Sequence, residues 1–189
     1  MSSDPTPTSS DEDLVRKIRE GDRAALDDLT ARYWQPIWRF CHSYLSDEGL
    51  AEDVAQETFA KLGGGDLPEG QVKPWLYKVA RNRCLDILRR HQRSPTHNHP
   101  IRTGFDPAKS TAGPHTRAAR EERAQLLRDI IAQMPEEYRS VLTLKHIEGL
   151  SRSEIAATLE ITEASVKGRL VRASDYLREQ LEKISGAQP

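Results

Sequence analysis

From Ser94 to Thr116 the sequence reads SPTHNHPIRTGFDPAKSTAGPHT, 23 residues with Pro, Gly, Ser and Thr throughout and no hydrophobic period. A stretch of that length and composition behaves as a linker. It is too long for a connection inside one compact domain. The expected organisation is therefore two small domains, residues 13–93 and 117–184, joined by a flexible linker over 94–116. Units of this size bury limited apolar area and are marginally stable alone, which suits docking onto a partner.

Both units read as helical. Leu14 and Ile18 mark a first helix that Gly21 breaks, and Ala25, Leu26, Leu29, Tyr33, Ile37, Phe40 and Cys41 mark a second. A third amphipathic stretch runs from about Asp47 to Leu62, with Leu50, Val54, Ala55, Thr58, Phe59 and Leu62 on one side. Gly63-Gly64-Gly65 stops it, residues 63–70 form a loop, and Pro74 suits the first turn of a fourth helix ending near Arg93. Beyond the linker, Leu126, Leu127, Ile130 and Ile131 mark one helix. Pro135 opens another, reaching Ile147, with Gly149 where a C-terminal cap belongs. Ser151-Arg152-Ser153-Glu154 is a capping box that opens a short helix with Ile155, Ala156 and Leu159 inward. Glu160-Ile161-Thr162 is a turn, and Thr162 caps a last helix with Val166, Leu170, Ala173, Leu177 and Leu181 on one stripe. No strand alternation persists, so the fold class is all-α. Residues 1–12 are expected to be a disordered tail.

Lys+Arg number 28 and Asp+Glu 29, a net charge of -1, yet the signs are segregated along the chain. Lys73 to Arg93 carries seven bases against one acid, Asp86, and Ser165 to Arg172 carries Lys167, Arg169 and Arg172 with none. Acids gather in Asp11–Asp13, Asp47–Glu57 and Glu121–Glu137. Basic patches supply phosphate contacts, and acidic surfaces serve protein partners. No apolar run reaches the roughly 18–20 residues of a membrane span, and the N-terminus lacks a signal-peptide pattern. Cys41 and Cys84 stand far apart in helical patterns, so neither a disulfide framework nor a zinc site is expected. A reduced, cytoplasmic setting fits.

Three helical faces carry the chemistry. The short helix, three-residue turn and longer helix beginning at Ser151 form a helix-turn-helix signature. On its second helix Ala164, Ser165, Gly168 and Arg172 lie opposite the apolar stripe, flanked by Lys167 and Arg169. Small residues admit the backbone to a groove floor, Ser165 and Arg169 reach base edges, and Lys167 and Arg172 suit phosphates. The fourth helix places Lys78, Asn82, Asp86, Arg89 and Arg93 on one side, with Trp75 and Tyr77 at its start. Such a face is either a solvated surface with core aromatics or a binder of single-stranded DNA. The third helix presents Asp47, Glu48, Glu52, Asp53, Gln56 and Glu57, a face for plain solvation or for a basic protein.

AEDVAQETFAKL (51–62) followed by PWLYKVARNRCLDILRR (74–90) resembles region two of the bacterial extracytoplasmic-function (ECF) sigma factors. The stretch from Leu126 to Leu181 resembles their region four. Together the blocks cover 85 of the 189 residues, in the order and with the linker that family has. The resemblance implies a region-two helical bundle and a region-four helix-turn-helix in an RNA polymerase specificity subunit. Glu52, Asp53, Gln56, Glu57 and Phe59 would dock on the clamp helices of the polymerase β′ subunit. Trp75, Lys78, Arg81, Asn82, Asp86, Arg89 and Arg90 would open and read the minus-ten element. Thr162, Glu163, Ala164, Ser165, Lys167, Gly168, Arg169 and Arg172 would read the minus-thirty-five element, while an apolar groove of region four meets the β flap. An anti-sigma factor is the implied regulatory partner, and free sigma factors of this kind bind promoters poorly. The sequence departs from the family at residues 63–70, GGGDLPEG, where an aromatic-rich segment usually captures a flipped base. This implies an altered minus-ten preference.

Two other functions compete. A helix-turn-helix regulator that binds duplex DNA without polymerase explains 151–181 but leaves the third and fourth helices without a task. An enzyme would need acid/base groups or ligands from Asp47, Asp53 and Asp86, or from His91, His97 and His99. Those histidines lie mostly in the linker, and no nucleotide loop, nucleophile elbow or paired-carboxylate motif accompanies them. No catalysis, metal or cofactor is expected of this chain itself.

Overall fold

The computed structural model describes residues 9–68, 70–93, 126–127, 130–131 and 133–185. The expected linker lies outside these, as do residues 128 and 129 of the expected helix around 126–131, whose Leu126, Leu127, Ile130 and Ile131 are helical, with Ile130 buried. Among the described residues there is no strand.

The first half comprises α1 (Asp11–Arg19), α2 (Arg23–Leu45), α3 (Glu48–Gly63) and α4 (Val72–Arg93). Each start has a local cause. The Ser10 hydroxyl accepts from the Asp13 amide, the Asp22 carboxylate from Ala24 and Ala25, and the Asp47 carboxylate from Leu50. These side chains take up amides that a helix N-terminus leaves unpaired. Gly21 follows α1 at φ 89°, a left-handed turn that glycine tolerates. The ordered chain begins earlier than the sequence suggests. Asp11 accepts from Arg32 and from the Tyr33 hydroxyl, so an acid expected in a loose tail instead pins α1 to α2.

α2 continues four residues beyond Cys41, to Leu45, through an internal Pro36. Proline removes one intrahelical hydrogen bond, and the burial of Ile37, Phe40, Cys41, Tyr44 and Leu45 on the following turns holds the helix across the defect. The Phe40 ring meets Tyr44 at 5.0 Å and Tyr77 edge-on at 5.2 Å. Leu62, Leu76, Ala80 and Cys84 complete the same core. α3 stops at the triple glycine as expected, and Gly65 turns at φ 94°. The following loop is anchored rather than free: Pro68 is buried and its carbonyl accepts from Arg19.

The second half comprises α5 (Glu136–Leu142), a π-helical turn (Thr143–Ile147), α6 (Arg152–Leu159) and α7 (Glu163–Ser185). The sequence suggests one continuous helix from Pro135 to Ile147. Instead the backbone widens, and the Glu148 amide bonds the Thr143 carbonyl five residues back. Gly149 then turns at φ 66°. Val141, Leu144, Leu150, Ile155, Val166 and Ala173 form the core of this half. The two halves pack on one another, chiefly α4 against α6.

Phe40→Ala removes a wholly buried ring that touches two other rings. It should cost about 3–5 kcal/mol, read as a lower urea midpoint with an unchanged slope.

Candidate nucleic-acid and protein interfaces

The α6–α7 pair has the geometry of a helix-turn-helix. Ser151 and Glu154 form the expected reciprocal box: the Ser151 hydroxyl accepts from the Glu154 amide at 3.1 Å, and Glu154 accepts from the Ser151 amide at 2.7 Å. The turn uses Glu160 in the left-handed region at φ 54°, an uncommon conformation for a residue with a Cβ. Thr162 caps α7 by accepting from the Ser165 amide at 3.1 Å. Val166 and Ala173 are buried, and Leu170, Leu177 and Leu181 are half-buried beside them. That leaves Thr162, Glu163, Ala164, Ser165, Lys167, Gly168 and Arg172 exposed. A Cβ placed on Gly168 would meet nothing within 4 Å, so this face is open for its whole first two turns. Arg169 is the exception. Half-buried, it leans toward Glu137 of α5 at 3.9 Å.

On α3, Glu52, Asp53 and Gln56 are exposed, and Gln56 donates to Glu52 at 3.3 Å. Glu57 is half-buried and paired with Arg83 of α4 at 2.7 Å. Phe59 does not belong to the surface. It is 6% exposed, with its ring 5.9 Å from Trp34, so it supports the acidic face from beneath. Between α3 and α4 lies a groove of about 250 Å³, with Leu50, Val54 and Ile87 as its floor and Asp53, Glu57, Arg83, Arg90 and His91 around it. Acid and base alternate around an apolar floor there, a lining that suits an amphipathic helix.

α4 departs most from the sequence expectation. Its C-terminal half presents Asn82, Asp86, Arg89, Arg90 and Arg93 to solvent, with Arg89 paired to Asp86 at 3.3 Å. Its N-terminal half faces the second half of the chain. Lys73 pairs with Glu154 at 3.0 Å, Lys78 with Glu160 at 2.7 Å and Arg81 with Glu136 at 2.6 Å. Arg81 also donates through Nε to the Ser140 hydroxyl at 3.0 Å. Trp75 is half-buried against the core. Tyr77 is wholly buried, its ring in the first half's core and its hydroxyl donating to Glu148 at 2.8 Å. Burial, then the adjoining Glu148 carboxylate, pushes the Tyr77 hydroxyl well above the ordinary phenol range, so it stays a neutral donor. Glu148 is also paired with Arg39 of α2 at 3.1 Å, while its other oxygen is buried without a partner. Tyr44 meets Ser140 at 3.0 Å, and the Arg139 guanidinium lies over the Tyr44 ring. Burial, opposed by the Ser140 hydrogen bond, pushes Tyr44 up to about 12.

Sequence reasoning did not find this interdomain set. The only available signal was the segregation of charge itself: acids at Glu136, Glu154 and Glu160 against bases at Lys73, Lys78 and Arg81. The cysteines hold another surprise. Cys41 and Cys84 meet in the core of the first half, and their mutual hydrogen bond, with burial, raises the Cys41 thiol far above its ordinary range. Both are free and buried, and the raised Cys41 thiol stays protonated. Among the described residues no cluster of His, Cys, Asp and Glu is placed to hold a metal, and no helix is long and apolar enough to cross a membrane. His97 and His99 lie outside those residues.

Residues 29–94 match the family model for sigma-70 region 2, and residues 124–177 match that for sigma-70 region 4. The ECF RNA polymerase sigma factor SigM of Bacillus subtilis is 32% identical over 81% of this chain and 93% of its own length. The RNA polymerase sigma-H factor of Pseudomonas aeruginosa is 28% identical over 92% of this chain and 95% of its own. The fold is shared with CnrH, solved in complex with the cytosolic domain of CnrY, at a TM-score of 0.65 and 24% identity over 93% of this chain and 99% of that one. It is also shared with the sigma factor RpoE of Bartonella quintana, solved with the anti-sigma factor NepR, at a TM-score of 0.61 and 22% identity over 82% and 97%. The chain belongs to the ECF sigma factors. Its function is that of an RNA polymerase sigma factor, directing the polymerase to promoters at the start of transcription.

The capping box joins helix start to interface, and its acid dependence follows. Burial works to raise the Glu154 carboxyl, but the Ser151 amide, Lys73 and the Ser151 hydroxyl together hold it below its ordinary 4.5. A carboxyl lowered on folding adds stability that is fully present above the unfolded value and lost as pH falls through the folded one. The stability gap between the protein and its Glu154→Gln variant should therefore hold at neutral pH and close below pH 4.5. Urea titrations across pH 3 to 7, as a roughly chosen range around carboxylate titration, check this.

Proposed function

We propose that each half of this sigma factor meets promoter and polymerase through the faces described above. The carrying observation is the bare first two turns of α7, where small and basic side chains stand exposed over a glycine with open space beyond it. Thr162, Glu163, Ala164, Ser165, Lys167, Gly168, Arg169 and Arg172 enter the major groove of the minus-thirty-five element. Arg169 leaves its loose contact with Glu137 to reach a base edge, and Lys167 and Arg172 hold phosphates. On α4, Lys78, Arg81, Asn82, Asp86, Arg89 and Arg90 follow the melted minus-ten strand, with Trp75 as the supporting aromatic. The anchored, aromatic-free loop at 63–70 leaves minus-ten reading to α4.

The acidic α3 face, with Glu52, Asp53, Gln56 and Glu57, docks on the β′ clamp helices, which requires a basic or amphipathic partner. Phe59 acts there only by packing. An apolar groove of the second half receives the β flap. The complexes of CnrH and of RpoE with their partners support regulation of this chain by an anti-sigma factor. A soluble life in the cytoplasm, without cofactor or catalysis of its own, completes the reading.

Run-off transcription with core polymerase over a genomic promoter library tests it. Promoter-dependent transcripts are expected, and tight operator binding by the free protein without polymerase would overturn it. Asp53→Lys reverses an exposed charge and should weaken core binding on the order of tenfold, with an unchanged circular dichroism spectrum. Arg169→Ala should relax minus-thirty-five preference at one base pair by roughly 1–3 kcal/mol. Arg172→Ala should instead weaken binding to all sequences alike and lower the salt slope by about one. Holoenzyme titrations on matched and mismatched promoters separate the two.

A further inference from the structure

Two large apolar side chains stand exposed among the described residues, Val171 at 54% and Ile184 at 40%, and both are on α7. Ile184 prolongs the stripe of Val166, Ala173 and Leu177 at the far end of the helix. Val171 belongs to the other side. At about 100° per residue, it falls one turn beyond Lys167 and Gly168 and two turns beyond Ala164, away from the buried Val166 and Ala173. Its isopropyl group stands outside the core of the second half. Branching at Cβ also makes valine a poorer helix former than alanine, so neither packing nor helix propensity accounts for it.

Ala164, Gly168 and Val171 form a strip along α7 without a side-chain donor or acceptor. Exposed polar groups border it, Lys167 on one side and Ser165 and Arg172 on the other. With these cations on the phosphates of the two groove walls, the strip rests over the base edges. The small residues of the first turns bring the backbone close, and Val171 then reaches furthest. The major groove offers such a group one apolar feature, the 5-methyl of thymine, whereas a G·C pair shows only donors and acceptors there. Those polar edges would lose water against valine and gain no partner.

We propose that Val171 selects thymine at one position of the minus-thirty-five element by packing on its 5-methyl group. This rests on the reading of α7 as the helix that enters that element. Selection is partly by rejection, since the wrong pair is left with unpaired polar groups under the isopropyl side chain.

The test uses the holoenzyme, core polymerase with the full chain, on a duplex promoter recovered from the run-off library. Each thymine of its minus-thirty-five element, on either strand, is replaced in turn by deoxyuridine, which lacks only the 5-methyl group. One replacement should weaken binding about fourfold, as expected for burial of one methyl-sized group, and a G·C pair at that position should weaken it further. Val171→Ala should lose the same factor on the thymine promoter and bind the thymine and deoxyuridine forms equally. Its response to mismatches elsewhere should be unchanged. Alanine is the better helix former, so lost folding cannot mimic this result, and an undiminished melting temperature checks the point. If Arg169→Ala still shifts base preference but no thymine responds to deoxyuridine, the role of Val171 is overturned. A deoxyuridine penalty that persists in Val171→Ala overturns it equally. Binding that ignores Arg169→Ala, Arg172→Ala and every minus-thirty-five replacement overturns instead the reading of α7, and the role of Val171 along with it.

Discussion

The Tyr77 side chain stands where everything else meets. Its ring lies edge-on to Phe40 in the core of the first half, and its hydroxyl crosses to Glu148 in the second. A phenol can do both because it is apolar along its body and polar at its tip. Through Phe40 it is tied to Tyr44, whose hydroxyl also crosses, to Ser140. The rings fix the azimuth of α4 on α2, and that azimuth turns Lys73, Lys78 and Arg81 toward one neighbour while Asn82, Asp86 and Arg89 remain in solvent. One aromatic cluster therefore decides both how the first half is packed and which of its charges are engaged.

Energetically the two jobs differ in kind. The core of each half is held by buried apolar side chains, each worth roughly 1.5–3 kcal/mol. The contact between halves combines the Tyr44–Ser140 and Tyr77–Glu148 hydrogen bonds with ion pairs whose members keep between 1% and 69% of their side-chain surface exposed, of which the more exposed contribute about 0–1 kcal/mol each.

What the sequence disclosed follows the range of the forces involved. Helix positions, the capping box at Ser151, the Thr162 cap, the Gly149 turn and the buried stripe of α7 are local or periodic, and each was legible. The π turn was not, because nothing in the residues from Thr143 to Ile147 distinguishes a five-residue hydrogen-bond ring from a four-residue one. Asp11 looked like tail because its partners, Arg32 and Tyr33, are on another helix. Phe59 stood on the apolar side of its helix in the sequence, Tyr77 was open between core and DNA-binding face, and both are buried. The partition of α4 into an engaged and a free half depends on a packing partner more than fifty residues away in sequence, beyond the reach of any pattern. Family resemblance implied the roles of the faces, and geometry showed which residues of α4 are engaged with the second half.

Lys73, Lys78 and Arg81 meet their carboxylates across partly exposed surface. Charges in such positions are screened by dissolved ions over roughly 8 Å at physiological ionic strength. The Phe40, Tyr44 and Tyr77 rings beneath them are buried and feel that screening little. The strength of the contact between the halves is thereby tied in part to the salt of the medium, while the packing inside each half is not.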